Sequence, residues 1–180
     1  MKIAIIGTHS TGKTTLCKLL HAKLTLQQKE AYLMPEYVRM CPFPINEGTT
    51  LEAQQWILNQ QMMQEGMYHT NDDKIIICDR ATIDNFAYMH TAFADSEHDI
   101  APHEADAVRF MQTYDYVFKT HRLPIAAKAD GIRTTNEAFR ETIDTNLQKL
   151  LQKHSIATVP LQKTIDYDIH LKDILALISA

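Results

Sequence analysis

The sequence predicts an α/β fold in three layers, with a five-stranded, mostly parallel sheet between helices. Short apolar runs of strand length alternate with longer stretches of helical spacing, and each parallel crossover places a helix over the sheet. No repeat, low-complexity tract or linker rich in Gly, Ser or Pro divides the chain, so its 180 residues read as one domain spanning 1–180. A chain of this length buries roughly two-thirds of its unfolded surface.

Taken in order, Ile3-Ala4-Ile5-Ile6 is the first strand, and Leu16, Leu19, Leu20 and Leu24 mark one face of the helix after it. Ala31–Met34 reads as the second strand. Residues 41–50, with two prolines and a glycine, form a loop leading to a helix with a weaker stripe of Trp56, Gln60, Met63 and Met67. Ile75–Cys78 is the third strand, and the helix after it starts near Ala81 and carries Phe86, Met89 and Phe93. Residues 94–103 read as a solvated excursion. Tyr116–Phe118 is the fourth strand; the stretch from His121 to Thr135 lacks an apolar period and carries Arg122, Lys128, Asp130 and Arg133. Phe139, Ile143, Leu147, Leu150 and Leu151 define the next helix, with Arg140, Glu141 and Lys149 off that stripe. Ile156–Val159 is the fifth strand, and Leu171, Ile174, Leu175 and Ile178 mark the last helix. Ligands in such folds bind at the carboxyl ends of the strands.

Composition narrows the function. Hydrophobic residues at 45% and charged residues at 22% exclude a disordered or fibrous chain. A net charge of -4 offers no basic footprint for duplex nucleic acid or anionic membrane. No apolar run approaches the roughly 18–20 residues that span a bilayer, and the N-terminus lacks a signal-peptide pattern, which predicts a soluble, cytoplasmic protein. The three cysteines, Cys17, Cys41 and Cys78, are far apart and form no CxxC pair, so reduced thiols are expected.

The residues Gly7-Thr8-His9-Ser10-Thr11-Gly12-Lys13-Thr14 fit GxxxxGK[ST] between the first strand and the leucine-striped helix. The glycines let the backbone wrap a polyphosphate, and successive amides with the helix N-terminus stabilise its charge. Lys13 would contact the β and γ phosphates of ATP, and the Thr14 hydroxyl would ligate Mg²⁺. Thr15 joins this nucleotide-binding set, while His9 is assigned backbone contact alone. Such a loop needs an acid at a neighbouring strand end, and Asp79, directly after Ile75–Cys78, is the candidate. Its alternative is to cap the following helix, with Arg80 paired to a nearby carboxylate. Asp84, further along, faces either a substrate or solvent.

With these residues in place the chain resembles the P-loop nucleoside and nucleotide kinases, and more narrowly the nicotinamide-riboside-kinase-type domains. Three blocks carry the resemblance in the family's order. They are the loop Gly7–Thr14, with Ser10 ahead of Thr11-Gly12-Lys13; Glu36-Tyr37-Val38-Arg39, an E-Y-x-R after the second strand; and Asp130-Gly131-Ile132-Arg133, a DGxR ahead of a long amphipathic helix. Asp79-Arg80-Ala81 is more similar to the DR element of deoxynucleoside kinases than to the Asp-x-Asp-like arrangement of the nicotinamide riboside kinase domain. The acceptor therefore stays open among nicotinamide riboside, a (deoxy)nucleoside and a monophosphate.

The resemblance implies a P-loop NTPase sandwich with a short lid, ATP and Mg²⁺ as donor and metal, and a small nucleoside-like or nucleotide-like acceptor. It implies catalytic Lys13, Glu36, Asp79 and Arg133, metal-holding Thr14 and Asp79, and acceptor-facing Glu36, Arg39 and Arg80. Arg133, with Arg122, would close over ATP, and Gly131 would supply a hinge or turn. Tyr37 and Trp56 are candidates to stack on a base. Bland readings stand beside these: a Glu36–Arg39 ion pair, surface pairing of the loop arginines, and core or edge packing of Trp56. The competing function is a nucleotide-dependent switch or slow ATPase acting through a protein partner. A GTPase is disfavoured by the lack of NKxD, and an AAA+ motor by length.

Overall fold

The computed structural model describes residues 1–68, 74–124 and 135–178. Strand β1 (Lys2–Ile6) leads through a loop into α1 (Lys13–Leu26). Strand β2 (Ala31–Met34) is followed by two short 3₁₀ turns, Tyr37–Met40 and Asn46–Gly48, and then α2 (Leu51–Gly66). After β3 (Ile75–Asp79) come α3 (Thr82–Phe93) and α4 (Ala101–Met111); β4 (Tyr116–Lys119) precedes α5 (Glu137–Lys153), and β5 (Val159–Pro160) precedes α6 (Tyr167–Ile178). All strand pairs are parallel, in the order β2-β3-β1-β4-β5.

The unbroken apolar runs of β1 and β3 follow from a sheet covered on both faces. Ala4, Ile6, Ile76 and Cys78 face a core shared with α2, α3, α4 and α5. Their neighbours Ile3, Ile5, Ile75 and Ile77 face a second core with α1 and α6. Each fully buried isoleucine stabilises the fold by about 1.5–3 kcal/mol.

The helices depart from their expected faces in instructive ways. On α1 the buried arc is Leu16, Cys17, Leu20 and Leu24, whereas Leu19 is 39% exposed, because at about 100° per residue it falls some 60° outside that arc. The expected stripe of α2 is displaced: Met63 and Met67 are exposed, and the buried face is Ala53, Gln54, Ile57, Leu58, Gln61 and Glu65. Three of those six are polar, so apolar periodicity misplaces the face. On α5, Arg140 shares the buried side with Ile143 and Leu147 instead of lying off the stripe. Residues 101–103 belong to α4 rather than to a loop, with Pro102 in the first turn, where a missing N–H costs nothing. The fifth strand is shorter and later than expected: Val159 and Pro160 pair with Phe118 and Lys119. Proline suits that outer position, because it cannot donate to a further ladder.

Candidate active site

The carboxyl ends of β1, β2 and β3 converge on one cluster of charged side chains. The loop after β1 reverses through Gly7 (φ +139°) and Gly12 (φ +85°), both in the region that favours glycine. A Cβ on Gly7 would stand 2.3 Å from the Thr120 hydroxyl, and one on Gly12 2.5 Å from the Tyr167 hydroxyl. Gly12 is the N-cap of α1, and Leu16 N–H donates to its carbonyl at 3.0 Å to start the helix. The first turn of α1 carries no acidic residue of its own, which leaves the positive end of the helix open to an anionic ligand.

Side chains fasten this loop. Thr11 Oγ1 donates to the Thr8 carbonyl at 3.0 Å and lies 2.7 Å from Thr120 Oγ1 at the end of β4. Arg140, 1% exposed, reaches in from α5: Nε donates to the His9 carbonyl at 3.1 Å and Nη2 to that of Ser10 at 3.3 Å. Thr8 Oγ1 donates in return to the Arg140 carbonyl at 3.1 Å. Lys13 is buried and donates from Nζ to the Thr8 carbonyl at 2.7 Å. Burial, followed by the charge of Arg80, pulls its pKa down to about 8 against the pull of Asp84, Glu36 and Asp79. Thr15, the third residue of α1, is exposed.

Asp79 ends β3 beside this loop. Its Oδ2 accepts from the Thr14 hydroxyl at 2.6 Å, while its buried Oδ1 has no hydrogen-bond partner among the described residues. It does not cap α3, whose N-cap is Ala81. Burial and the neighbouring Glu36 charge raise its pKa, with Lys13 and Thr14 opposing. A carboxylate oxygen held out of water without a donor, next to a threonine hydroxyl and a lysine at a phosphate-shaped loop, fits Mg²⁺ with ATP. Magnesium takes one or two protein ligands and fills its remaining positions with phosphate and water oxygens. Among the described residues no group of three or more His, Cys, Asp or Glu forms a metal cage.

Arg80 follows, 4% exposed. Its Nε donates to Glu36 Oε1 at 2.8 Å and its Nη1 to Asp84 Oδ1 at 3.1 Å, and its guanidinium lies 5.0 Å from the centre of the Tyr88 ring. Asp84 is thus fully buried and ion-paired; the solvent reading fails. Its other oxygen accepts from Gly7 N–H at 3.4 Å. Glu36 is buried at the end of the chain leaving β2, and its Oε2 accepts from Arg39 Nε at 3.2 Å, so the expected Glu36–Arg39 pair exists alongside the bond to Arg80. His9, buried rather than merely contributing backbone, places its Nδ1 3.1 Å from the Tyr88 hydroxyl.

These groups border a cleft against the phosphate loop. Val38, Ile45 and Ile57 form its apolar wall, Glu36, Arg80, His9 and Tyr88 its charged and polar end, and Asn46, Gln54 and Asn85 contribute carboxamides. Arg39, about one-third exposed, touches Glu36 without lining the cleft. Trp56 packs on the core cluster, as its bland reading held, and Tyr37 is buried in that cluster too instead of lining the cleft. Arg122 pairs with Glu137 and Glu141 of α5. Arg133 and Gly131 lie outside the described residues.

Sequence reasoning missed Arg140, Tyr88, Asn85 and Thr120. A signal existed for Arg140: it stands three and seven residues before Ile143 and Leu147, on the apolar stripe, where an unpaired arginine would be costly. Thr120 stands two residues after the fourth apolar run, at the same end of the sheet where Asp79 follows the third.

Solved structures with this fold share little sequence with the chain. A deoxyadenosine kinase from M. mycoides matches with a TM-score of 0.70 and 17% identity, over 99% of this chain and 98% of that one. A thymidylate kinase from Ehrlichia chaffeensis matches at 0.66 and 18% identity, with 98% of each chain covered. A NadR protein matches at 0.74 and 15% identity, over 99% of this chain but 49% of its own length. Among curated proteins no sequence matches. A family model described as an AAA domain matches residues 2–166, nearly the whole chain. The chain therefore belongs to that AAA domain family and has the fold of the P-loop nucleoside and nucleotide kinases.

Proposed function

We propose that the protein is an ATP- and Mg²⁺-dependent phosphotransferase whose acceptor is the hydroxyl of a nucleoside-like molecule. The observation that carries this reading is the cleft in which Glu36 and Arg80 border the phosphate loop. A switch needs the loop but not a second, carboxamide-bearing cleft beside it.

Roles follow from charge. Phosphoryl transfer is accelerated by positioning and by cations fixed where negative charge develops. Lys13 would leave the Thr8 carbonyl for the β and γ phosphates, and the loop amides from Thr8 to Lys13 would cradle them. Thr14 and Asp79 would hold magnesium, which neutralises charge on the phosphate oxygens. Glu36 would orient the acceptor hydroxyl and accept its proton, with Arg80 holding the carboxylate in place through its bond to Oε1. Arg39 would support Glu36 from the outer side. The role of Arg133 over the donor phosphates rests on the DGxR resemblance.

The committed state of the cations favours an uncharged acceptor group. Arg80 is already matched by Glu36 and Asp84, and Arg39 by the same Glu36, so a monophosphate in the cleft would compete with two carboxylates. Related structures hold dCMP with dCDP, dATP, and, in NadR, NR. These bound molecules support a nucleoside-like occupant.

The test is ADP release with ATP and Mg²⁺ against nicotinamide riboside, the common nucleosides and deoxynucleosides, and their monophosphates, with products identified by mass spectrometry. Strong stimulation by one unphosphorylated member is expected. ATP binding with turnover that ignores every acceptor would overturn the reading in favour of a nucleotide switch.

A further inference from the structure

Arg80 meets Glu36, yet its own backbone is held at φ +93°, a conformation that a residue with a side chain keeps only when its surroundings impose it. The left-handed step turns the chain from β3 into α3 within two residues, Arg80 and Ala81. That turn brings Asp84 one helical turn away from the Arg80 guanidinium. Two bonds secure the Arg80 peptide groups. Its N–H donates to the Ile5 carbonyl of β1 at 3.2 Å, and its carbonyl accepts from Gln61 Nε2 at 3.0 Å.

Gln61 comes from α2 and is 2% exposed. Its amide has one sensible orientation. Nε2 also donates to Glu65 Oε1 at 2.8 Å, while Oε1 accepts from Asn85 Nδ2 on α3. Flipping the amide would set its oxygen against a carboxylate and a carbonyl, and its nitrogen against another donor. Glu65 is fixed in turn: Lys2 Nζ lies 3.3 Å from its Oε2 and the Tyr114 hydroxyl donates to its Oε1 at 3.2 Å. Lys2 also sits 4.7 Å from the centre of the Phe110 ring. The chain Lys2–Glu65–Gln61 thus runs from the first residue of β1, at the far end of the sheet, to the turn beneath the cleft. Glu65 Oε2 has the Lys2 charge beside it but accepts no hydrogen bond, whereas Glu65 Oε1 and both ends of the Gln61 amide are paired, and it is these pairings that fix the geometry at the Arg80 carbonyl.

We propose that Gln61 is a positioning residue for Arg80: its carboxamide, clamped between Glu65 and Asn85, holds the Arg80 carbonyl and so keeps the guanidinium on Glu36 at the cleft. The kinetic side of this proposal rests on the phosphotransferase reading; the geometric side does not.

The experiment compares the wild type with Gln61→Met, which keeps the length of the side chain and removes its amide. The first readout is the Arg80 Nε–H resonance in ¹H–¹⁵N spectra, assigned by its loss in Arg80→Lys. In the wild type it exchanges slowly with solvent; in Gln61→Met its exchange quickens at least tenfold. Equal protection in both proteins overturns the proposal. The second readout is kinetic: kcat with the identified acceptor falls at least tenfold while the Kd of a fluorescent ATP analogue stays within twofold, and adding Gln61→Met to Arg80→Lys costs nothing more. A loss that adds fully to that of Arg80→Lys, or a parallel loss of nucleotide affinity, overturns it too. If Gln61→Met does not fold, Gln61→Asn withdraws the amide by one methylene and is expected to quicken the same exchange to a smaller degree; unchanged exchange overturns the proposal. Should the wild type phosphorylate no acceptor, the functional reading fails while the spectroscopic result still decides the role of Gln61.

Discussion

Thr14 Oγ1 and Asp79 Oδ2 stand 2.6 Å apart, joining the first turn of α1 to the last residue of β3, and leave Asp79 Oδ1 buried with no hydrogen-bond donor among the described residues. Desolvating an oxygen without a partner costs about 1–3 kcal/mol, so the fold accepts a cost that a bound cation would remove. Asp79→Asn is expected to leave the protein folded, or slightly more stable, in the absence of nucleotide. It should lower Mg²⁺-dependent turnover by about 10²–10³-fold, as for other losses of transition-state charge stabilisation. Steady-state rates across a Mg²⁺ titration, beside a urea unfolding curve, check both halves.

Lys13 carries a sign that can be measured. With a pKa near 8 in the free protein, it is neutral in most molecules above that pH. Phosphate oxygens favour the ammonium, so ATP binding above pH 8 takes up a proton and affinity falls as pH rises from 8 to 9.5. Calorimetry in two buffers of different ionisation enthalpy detects the uptake. Lys13→Ala should abolish both the pH dependence and phosphoryl transfer without unfolding the chain.

Glu36 is proposed to take the acceptor's proton, and Glu36→Gln preserves its shape. The variant should lose about 10²–10⁴-fold in kcat, the range for removing a positioned general base, while ATP affinity holds. Single-turnover measurements at saturating acceptor separate the chemical step from binding.

Arg140→Met removes the donor to the His9 and Ser10 carbonyls. Losing charge-assisted bonds at a buried site is expected to cost about 1.5–3 kcal/mol of stability and to weaken ATP binding by loosening the loop. Chemical denaturation and a fluorescent nucleotide titration read the two effects.

The parts of this site legible in the sequence are those that local chain geometry dictates. Gly7 to Thr14 is contiguous, and Asp79 follows an apolar run that can only end at the edge of the sheet. Glu36 and Arg39 were legible as a pair because they are three residues apart. What escaped is held by distant partners. Gln61 and Glu65 lie off the stripe expected for α2, and their burial becomes intelligible only when Arg80, Asn85, Tyr114 and Lys2 are brought to them. Arg140 was placed off its helix's apolar stripe for the same reason, since its ligands are carbonyls some 130 residues earlier. Helix α4 escaped because its buried face offers few anchors, Ala107 and Met111.

Helix α6 closes the lower core, where Ile174 and Ile178 cover Leu16, Leu20 and Leu24 of the helix that follows the phosphate loop. At its first turn, the Tyr167 hydroxyl stands where a side chain on Gly12 would have to go. The family match stops at residue 166, one position before this helix. A protein trimmed to that boundary would expose the back of α1 and forfeit about 3–6 kcal/mol from the two isoleucines alone, a large part of the 5–15 kcal/mol that holds a typical domain folded. Chain running through Ile178 is thus needed to keep the helix behind the phosphate loop covered, although no residue beyond 166 falls within the match.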